Sequence, residues 1–160
     1  IKSVSDYYII VVDPDEIDAA LNNPDLNLNW LEAIKISDVI NKLNPDEAII
    51  DAPSTNIKAY TDYLSKLVKN KKTKLKLEHK ADENYEVCSA ASILAKVTRD
   101  REIDKLRRQY GDCGSGYPAD PRTKKFLEEN WDKHPEMFRK TWSTYRKVAQ
   151  EKEQKNLSNY

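Results

Sequence analysis

Glycine is scarce in this chain of 160 residues. There are three glycines, Gly111, Gly114 and Gly116, and all of them fall within six residues. Because glycine is absent everywhere else, the chain has no flexible glycine-rich linker. Gly111 is placed to end a helix, and the other two predict a tight loop of defined shape.

Cysteine, net charge and long apolar runs are also lacking. Cys88 and Cys113 form no CxxC or Cys/His pattern, so a zinc site is not expected, and free thiols are typical of a reducing cytoplasm. No apolar run reaches the length of a membrane span, and no signal peptide opens the chain. Lysine plus arginine equals aspartate plus glutamate, 27 against 27. A nucleic-acid partner would therefore be held by local clusters or through metal ions.

Apolar patterning predicts alternating strands and helices, the arrangement of an α/β fold. Tyr7–Val12 is predicted to be a buried strand, and Ala48–Ala52 and Thr73–Leu77 to be two further strands. The predicted helices are a short one after Asp15, then Trp30–Leu43, Ile57–Val68, a long one ending at Tyr110, Pro121–Trp131 and Pro135–Val148. The resulting organisation is a core over residues 1–110, a glycine loop with C-terminal helices over 111–148, and a polar tail over 149–160.

Two aspartates occupy positions where metal ligands are often found. Asp51 ends a predicted strand, and Asp82 lies near the entrance of the long helix. Strand ends of an α/β sheet are where sites form, and carboxylates suit Mg²⁺ or Mn²⁺. From spacing alone, a solvated surface aspartate remains the alternative for each.

Four blocks of sequence resemble archaeal ribonuclease HII. They are Ile50-Asp51-Ala52, the run from His79 to Asp82, the run from Ser89 to Val97, and the run from Tyr110 to Pro118. Their order agrees with the family, and the resemblance covers nearly all of residues 1–148. It implies a ribonuclease H-like sheet flanked by helices, with a C-terminal helical subdomain.

The resemblance also implies an activity and its residues. Members of the family cut RNA strands paired to DNA, including single embedded ribonucleotides, with two divalent ions, Mg²⁺ or Mn²⁺, held by four carboxylates. Asp51 and Asp82 match the third and fourth of these carboxylates, and Tyr117 matches a tyrosine that senses the 2′-hydroxyl. Further residues expected to bind substrate are Gly116, Lys80, Ser89, Lys96 and Arg99. For Lys80, Lys96 and Arg99, the alternative is helix-surface solvation or an internal ion pair.

One departure from the family pattern changes the expectation. The family opens with a strand carrying Asp-Glu and then a Gly-Arg-Gly turn, and no such motif exists in this chain, which starts at Ile1. The sequence therefore predicts a ribonuclease HII without its N-terminal strands and first helix, which is inactive alone. The expectation is that the chain is a fragment or that the missing segment is supplied as a separate chain, and that the complete protein is a monomer.

The end of the chain resembles a peptide that binds the sliding clamp (PCNA). Gln154, Leu157 and Tyr160 have the spacing of that peptide, and the alternative is a frayed, charged helix end. A second hypothesis for the whole chain is thus a catalytically silent nucleic-acid or clamp-binding module. A third is another ribonuclease H-like nuclease, such as a resolvase or integrase, against which the glycine loop argues.

Overall fold

The structure, a computed structural model, describes residues 1–3 and 5–157, with side chains through residue 154. Within this part of the chain there are two parallel strands, β1 (Glu47–Asp51) and β2 (Lys74–Glu78), and a 3₁₀ turn at Pro135–Met137. The helices are α1 (Pro14–Asn22), α2 (Leu28–Leu43), α3 (Ile57–Leu67), α4 (Ala81–Asn84), α5 (Glu86–Tyr110), α6 (Pro121–Asn130) and α7 (Ser143–Leu157). The chain is an α/β protein, as the sequence predicts.

The chain packs into two compact units. The first contains the chain up to Val11 together with Asn23–Val97, and the second contains Val12–Asn22 and the chain from Thr98 onward. The predicted boundary at residue 110 stays a prediction, since compactness is not a test of independent folding.

The first unit is built on the pairing of β1 with β2. The register joins Glu47 to Lys74 at one end and Asp51 to Glu78 at the other, so both strands finish at the same edge. Asparagine side chains fix the flanking helices, because Asn27 accepts a hydrogen bond from the Trp30 N–H at the start of α2 and Asn56 accepts one from Ala59 at the start of α3. The buried core of this unit consists of Ala33, Ile40, Ile50, Tyr60, Leu64 and Val68.

The second unit is helical. Its buried core is formed by Cys113, Phe126, Leu127 and Phe138. Asp18 of α1, only 6% exposed, accepts hydrogen bonds from the backbone N–H groups of Lys140 at 2.6 Å and Thr141 at 3.1 Å, and one from the Thr141 hydroxyl. These bonds tie α1 to the segment before α7.

The prediction of a buried strand at Tyr7–Val12 is wrong. The segment is irregular, with Tyr7 and Tyr8 each 43% exposed and Val11 62% exposed. In the described residues β1 and β2 pair only with each other. Without a partner strand, a β-branched run has neither ladder hydrogen bonds nor a covered face.

Two predictions about the C-terminal part of the chain need smaller corrections. The helix expected over Pro135–Val148 is a 3₁₀ turn followed by α7, which begins at Ser143, and α7 carries the predicted polar tail on to Leu157. In α5, Val87 and Val97 are exposed and Cys88 is buried. None of the described helices is long and apolar enough to cross a membrane.

Candidate functional site

Asp51 and Asp82 lie close together in the first unit. Asp51 is the last residue of β1, and its Oδ1 accepts a hydrogen bond from the backbone N–H of Ala81 at 3.3 Å. Ala81 is the first residue of α4, and Asp82 is the second. The carboxylate at the end of the strand therefore contacts the helical turn that carries the second carboxylate, and both aspartates are exposed.

The turn between β2 and α4 is held against the end of β1. The Ala52 N–H donates to the Glu78 carbonyl at 2.9 Å, and the Nδ1 atom of His79 is 3.2 Å from the Ala52 carbonyl oxygen. Lys80 has a left-handed backbone, with φ 58°, and its carbonyl accepts from the Glu83 N–H at 3.0 Å. These bonds fix the backbone between the end of β2 and the start of α4.

The pKa of the Cys88 thiol is affected by both carboxylates. Burial raises its pKa, a hydrogen bond with the Asp51 backbone opposes that increase, and the negative charges of Asp51 and Asp82 add to it. One buried thiol at the start of α5 therefore lies within electrostatic reach of both aspartates.

The carboxylate oxygens of Asp51 and Asp82 are the kind of ligand that a hard divalent cation prefers, but two side chains are a small set of ligands. Exposed carboxylates are suited to an ion such as Mg²⁺, which binds through one or two carboxylates while keeping waters and substrate phosphates as its other ligands. Within residues 1–3 and 5–157, no group of three or more histidine, cysteine, aspartate or glutamate side chains has the arrangement of a metal site. An ion bound at Asp51 and Asp82 would therefore need further ligands from elsewhere.

Sequence reasoning missed a third acidic side chain near Asp51. Glu32 is on α2, and its pKa is raised by partial desolvation and, second, by the negative charge of Asp51. Tyr60 of α3 is close enough to Glu32 for that charge to add to the increase that burial causes in the tyrosine's pKa. The α2 pattern gave no sign of this cluster, because a single glutamate on an amphipathic helix is usually solvated.

The glycine loop, residues 111–120 of the second unit, is fixed by the first turn of α6. Asp120 accepts hydrogen bonds from the N–H groups of Ser115 at 2.8 Å and Arg122 at 2.9 Å. These two bonds hold the pKa of the Asp120 carboxyl well below its usual range. The hydroxyl of Thr123 accepts from the Gly116 N–H at 3.0 Å and donates to the Cys113 carbonyl at 2.9 Å.

A residue with a Cβ would be strained at Gly114 or at Gly116 of this loop. Gly114 and Gly116 have φ of +66° and +74°, which residues with a Cβ rarely adopt. A Cβ on Gly114 would be 2.6 Å from the Thr123 Oγ1 and 2.7 Å from its backbone nitrogen. The prediction of a tight loop with a defined shape is confirmed.

Two arginines of α5 bind the same loop from its other side. The Nη2 of Arg107 donates to the Gly114 carbonyl at 2.7 Å, and that of Arg99 donates to the Ser115 carbonyl at 2.8 Å. Tyr117 is 56% exposed, and its ring centroid is 3.9 Å from the guanidinium carbon of Arg99. Tyr117 is therefore an exposed aromatic ring that packs on Arg99 of α5.

The remaining predicted binding residues have varied settings. Lys80 is paired with Glu83 at 3.0 Å on the surface, Lys96 is exposed on α5, and Ser89 is half-buried in the first turns of that helix. In the predicted clamp peptide, Gln154 is exposed on α7. The side chain of Leu157 and the whole of Tyr160 lie outside the described residues.

An α/β chain with a carboxylate pair at a strand end and a separate glycine loop has structural neighbours among ribonucleases H. The ribonuclease H2 from Pyrococcus horikoshii superposes with a TM-score of 0.80 and 41% identity over 90% of this chain and 68% of that one. In the structure of the PCNA:RNase HII complex from Archaeoglobus fulgidus, a chain matches with a TM-score of 0.71 and 32% identity over 86% of this chain and 64% of that one. The fold therefore defines a ribonuclease H-class protein.

Sequence comparison gives the family. Residues 10–145 match the sequence profile of Ribonuclease HII. The Ribonuclease HII of Pyrococcus furiosus is 47% identical over 150 residues, which are 91% of this chain and 65% of that protein. This chain belongs to the ribonuclease HII family, and it spans about two thirds of the length of these relatives.

Proposed function

We propose that this chain carries part of the active site of an endonuclease that cuts the RNA strand of RNA–DNA hybrids, including single ribonucleotides embedded in DNA. The observation that carries the proposal is the contact between Asp51 and the turn that bears Asp82. Membership of the ribonuclease HII family supports the same reaction class.

In this proposal Asp51 and Asp82 hold divalent metal, Mg²⁺ or Mn²⁺. The chemistry that such ions would supply is activation of a water and stabilisation of the leaving oxygen during phosphodiester hydrolysis. The chain's own contribution is to fix two carboxylates at one strand end. The Ala81 N–H binds Oδ1 of Asp51, and the residue is exposed.

Tyr117 is proposed to recognise the ribose of the substrate. A phenol can pack on a ribose and hydrogen-bond to its 2′-hydroxyl, the group by which a protein tells RNA from DNA. The exposure of Tyr117 beside a rigid glycine loop supports this role. Lys80, Ser89 and Lys96 remain proposed substrate contacts, and Gly116 is proposed to let the backbone approach the substrate.

The 160-residue chain alone is proposed to have little or no cleavage activity, because two carboxylates are fewer than the four that the family resemblance implies. The test is Mn²⁺ titration of the isolated chain followed by NMR. Selective broadening of amide signals around residues 51 and 81–83, lost in Asp51→Asn, is the expected result. Broadening elsewhere, or robust cleavage of a hybrid by the purified chain, would contradict the proposal.

A second proposed activity is binding to a sliding clamp through Gln154, Leu157 and Tyr160. The similar chain in the structure of the PCNA:RNase HII complex from Archaeoglobus fulgidus supports it. Deleting residues 154–160 should abolish binding to the clamp of the same organism, while metal binding at Asp51 is unchanged. Equal clamp binding by the intact and shortened chains would contradict this proposal. Clamp binding without metal binding would favour the silent binding module.

A further inference from the structure

The guanidinium of Arg99 makes two different contacts with the glycine loop. Within its plane, Nη2 donates to the Ser115 carbonyl at 2.8 Å. On its face, the central carbon is 3.9 Å from the ring centroid of Tyr117. Arginine can make both contacts at once, because its planar group hydrogen-bonds at the edge and stacks on an aromatic ring with its face.

The closeness of the loop to α5 at this point depends on Gly116. A Cβ on Gly116 would be 2.8 Å from the Ile103 Cδ1 and 3.4 Å from the Arg99 Nη2. Arg99, Ile103 and Arg107 are four residues apart, so they share one face of α5, and Arg107 binds the Gly114 carbonyl. This face of the helix therefore meets the loop at three successive turns.

The charge of Arg99 is partly compensated. Its Nη1 is 3.6 Å from the Asp100 carboxylate, and the Ser115 carbonyl occupies Nη2. Nη2 is thus directed into the protein's own loop and Nη1 lies beside a neighbouring carboxylate, so both groups already have partners within the protein.

We propose that Arg99 is a positioning residue for Tyr117, and not a phosphate contact. The inference rests on the proposed reading role of Tyr117. The stacked guanidinium covers one face of the phenol ring, so the opposite face and the hydroxyl are the parts left for a ribose. Because the exposed ring is already held in one orientation, less conformational entropy is lost when the substrate binds.

The first test needs no substrate. In the isolated chain, Arg99→Met should shift and broaden the ring NMR signals of Tyr117, and Arg99→Lys should do so in part, since lysine keeps the charge without the plane. Arg101→Met, an exposed arginine on the same helix, is the matched control and should leave them unchanged. A melting temperature close to that of the parent would show that each variant is folded. Unchanged Tyr117 signals in Arg99→Met would overturn the proposal.

The second test separates positioning from phosphate binding. Affinity is measured for a DNA duplex with one ribonucleotide and for the same duplex of DNA alone, over a range of salt concentrations. Arg99→Met should lower the preference for the ribonucleotide about threefold to tenfold, and should lower it no further in a Tyr117→Ala background. The slope of log affinity against log salt should stay the same.

Two other outcomes would distinguish the role of Arg99 from the role of Tyr117. An equal loss of affinity for both duplexes, with the salt slope reduced by about one, would make Arg99 a phosphate contact and overturn the proposal. If Tyr117→Ala keeps the full preference while Arg99→Met still disturbs the Tyr117 ring signals, the positioning contact stands and the reading role of Tyr117 fails.

Discussion

The two compact units hold their candidate functional residues in opposite ways. In the first unit, Asp51 and Asp82 are exposed at a strand end, and one backbone N–H contacts Asp51. In the second, side chains from α5, from α6 and from the loop's own Asp120 hold the loop that carries Tyr117 through several hydrogen bonds. The difference fits two tasks, since metal ligands must remain open to ions, whereas a loop that recognises a sugar gains from rigidity before binding.

The largest expected effect concerns the carboxylates. In a form of the protein that cleaves hybrids, Asp51→Asn or Asp82→Asn should lower cleavage at least about 100-fold, because a lost metal ligand removes several kcal/mol of transition-state stabilisation. The asparagine keeps the size of the side chain, so the melting temperature should be nearly unchanged. Cleavage rate and thermal unfolding are the measurements.

Glu47→Gln is the matched control, since Glu47 is an exposed carboxylate at the opposite end of β1. It should leave cleavage at the parent rate. Retained activity in Asp51→Asn or Asp82→Asn would remove that residue from the site.

The next largest effect concerns the rigidity of the glycine loop in the second unit. Gly114→Ala should cost about 3 kcal/mol in the free energy of unfolding, because a Cβ there meets Thr123 and the backbone is left-handed. Gly111→Ala should cost about 1 kcal/mol, since its φ is +93° but no atom lies within 4 Å of the added Cβ. Urea unfolding measures both, and equal losses would show that the loop adjusts to the side chain.

A third effect depends on pH. Burial alone would raise the pKa of Asp18, but hydrogen bonds from Thr141 and Lys140 outweigh it and leave the pKa below its usual value. A lowered folded-state pKa gives stability that is present above the unfolded value of about 3.9 and is lost as pH falls through the folded value. Asp18→Asn should therefore cost about 2 kcal/mol at pH 7, and this difference should shrink below pH 4. The same cost at pH 3 and pH 7 would contradict the explanation.

The smallest effect lies in the core of the first unit. Among the described residues, the Tyr60 hydroxyl is buried and has no hydrogen-bond partner. Removing an unpaired buried hydroxyl relieves a desolvation cost, so Tyr60→Phe should raise the free energy of unfolding by about 1 kcal/mol. A loss of stability on chemical denaturation would show that the hydroxyl is hydrogen-bonded in solution.

Sequence patterns predicted the elements that local rules determine. The bounds of α2 and α3 follow their asparagine caps and apolar spacing, and Asp51 ends its strand as expected. The Tyr7–Val12 strand was wrong because strand formation depends on a neighbouring strand, which composition does not reveal. The same limit applies to Glu32 and Arg99, whose roles depend on contacts with distant parts of the sequence.

The most direct test of separate tasks in the two units is a binding preference, measured without cleavage. Ca²⁺ in place of Mg²⁺ would allow binding to be compared for a duplex with one ribonucleotide and its all-DNA counterpart. Asp82→Asn should keep the parent's preference for the ribonucleotide, whereas Tyr117→Ala should lose most of it while still binding Mn²⁺. Loss of the preference in Asp82→Asn together with its retention in Tyr117→Ala would contradict the account.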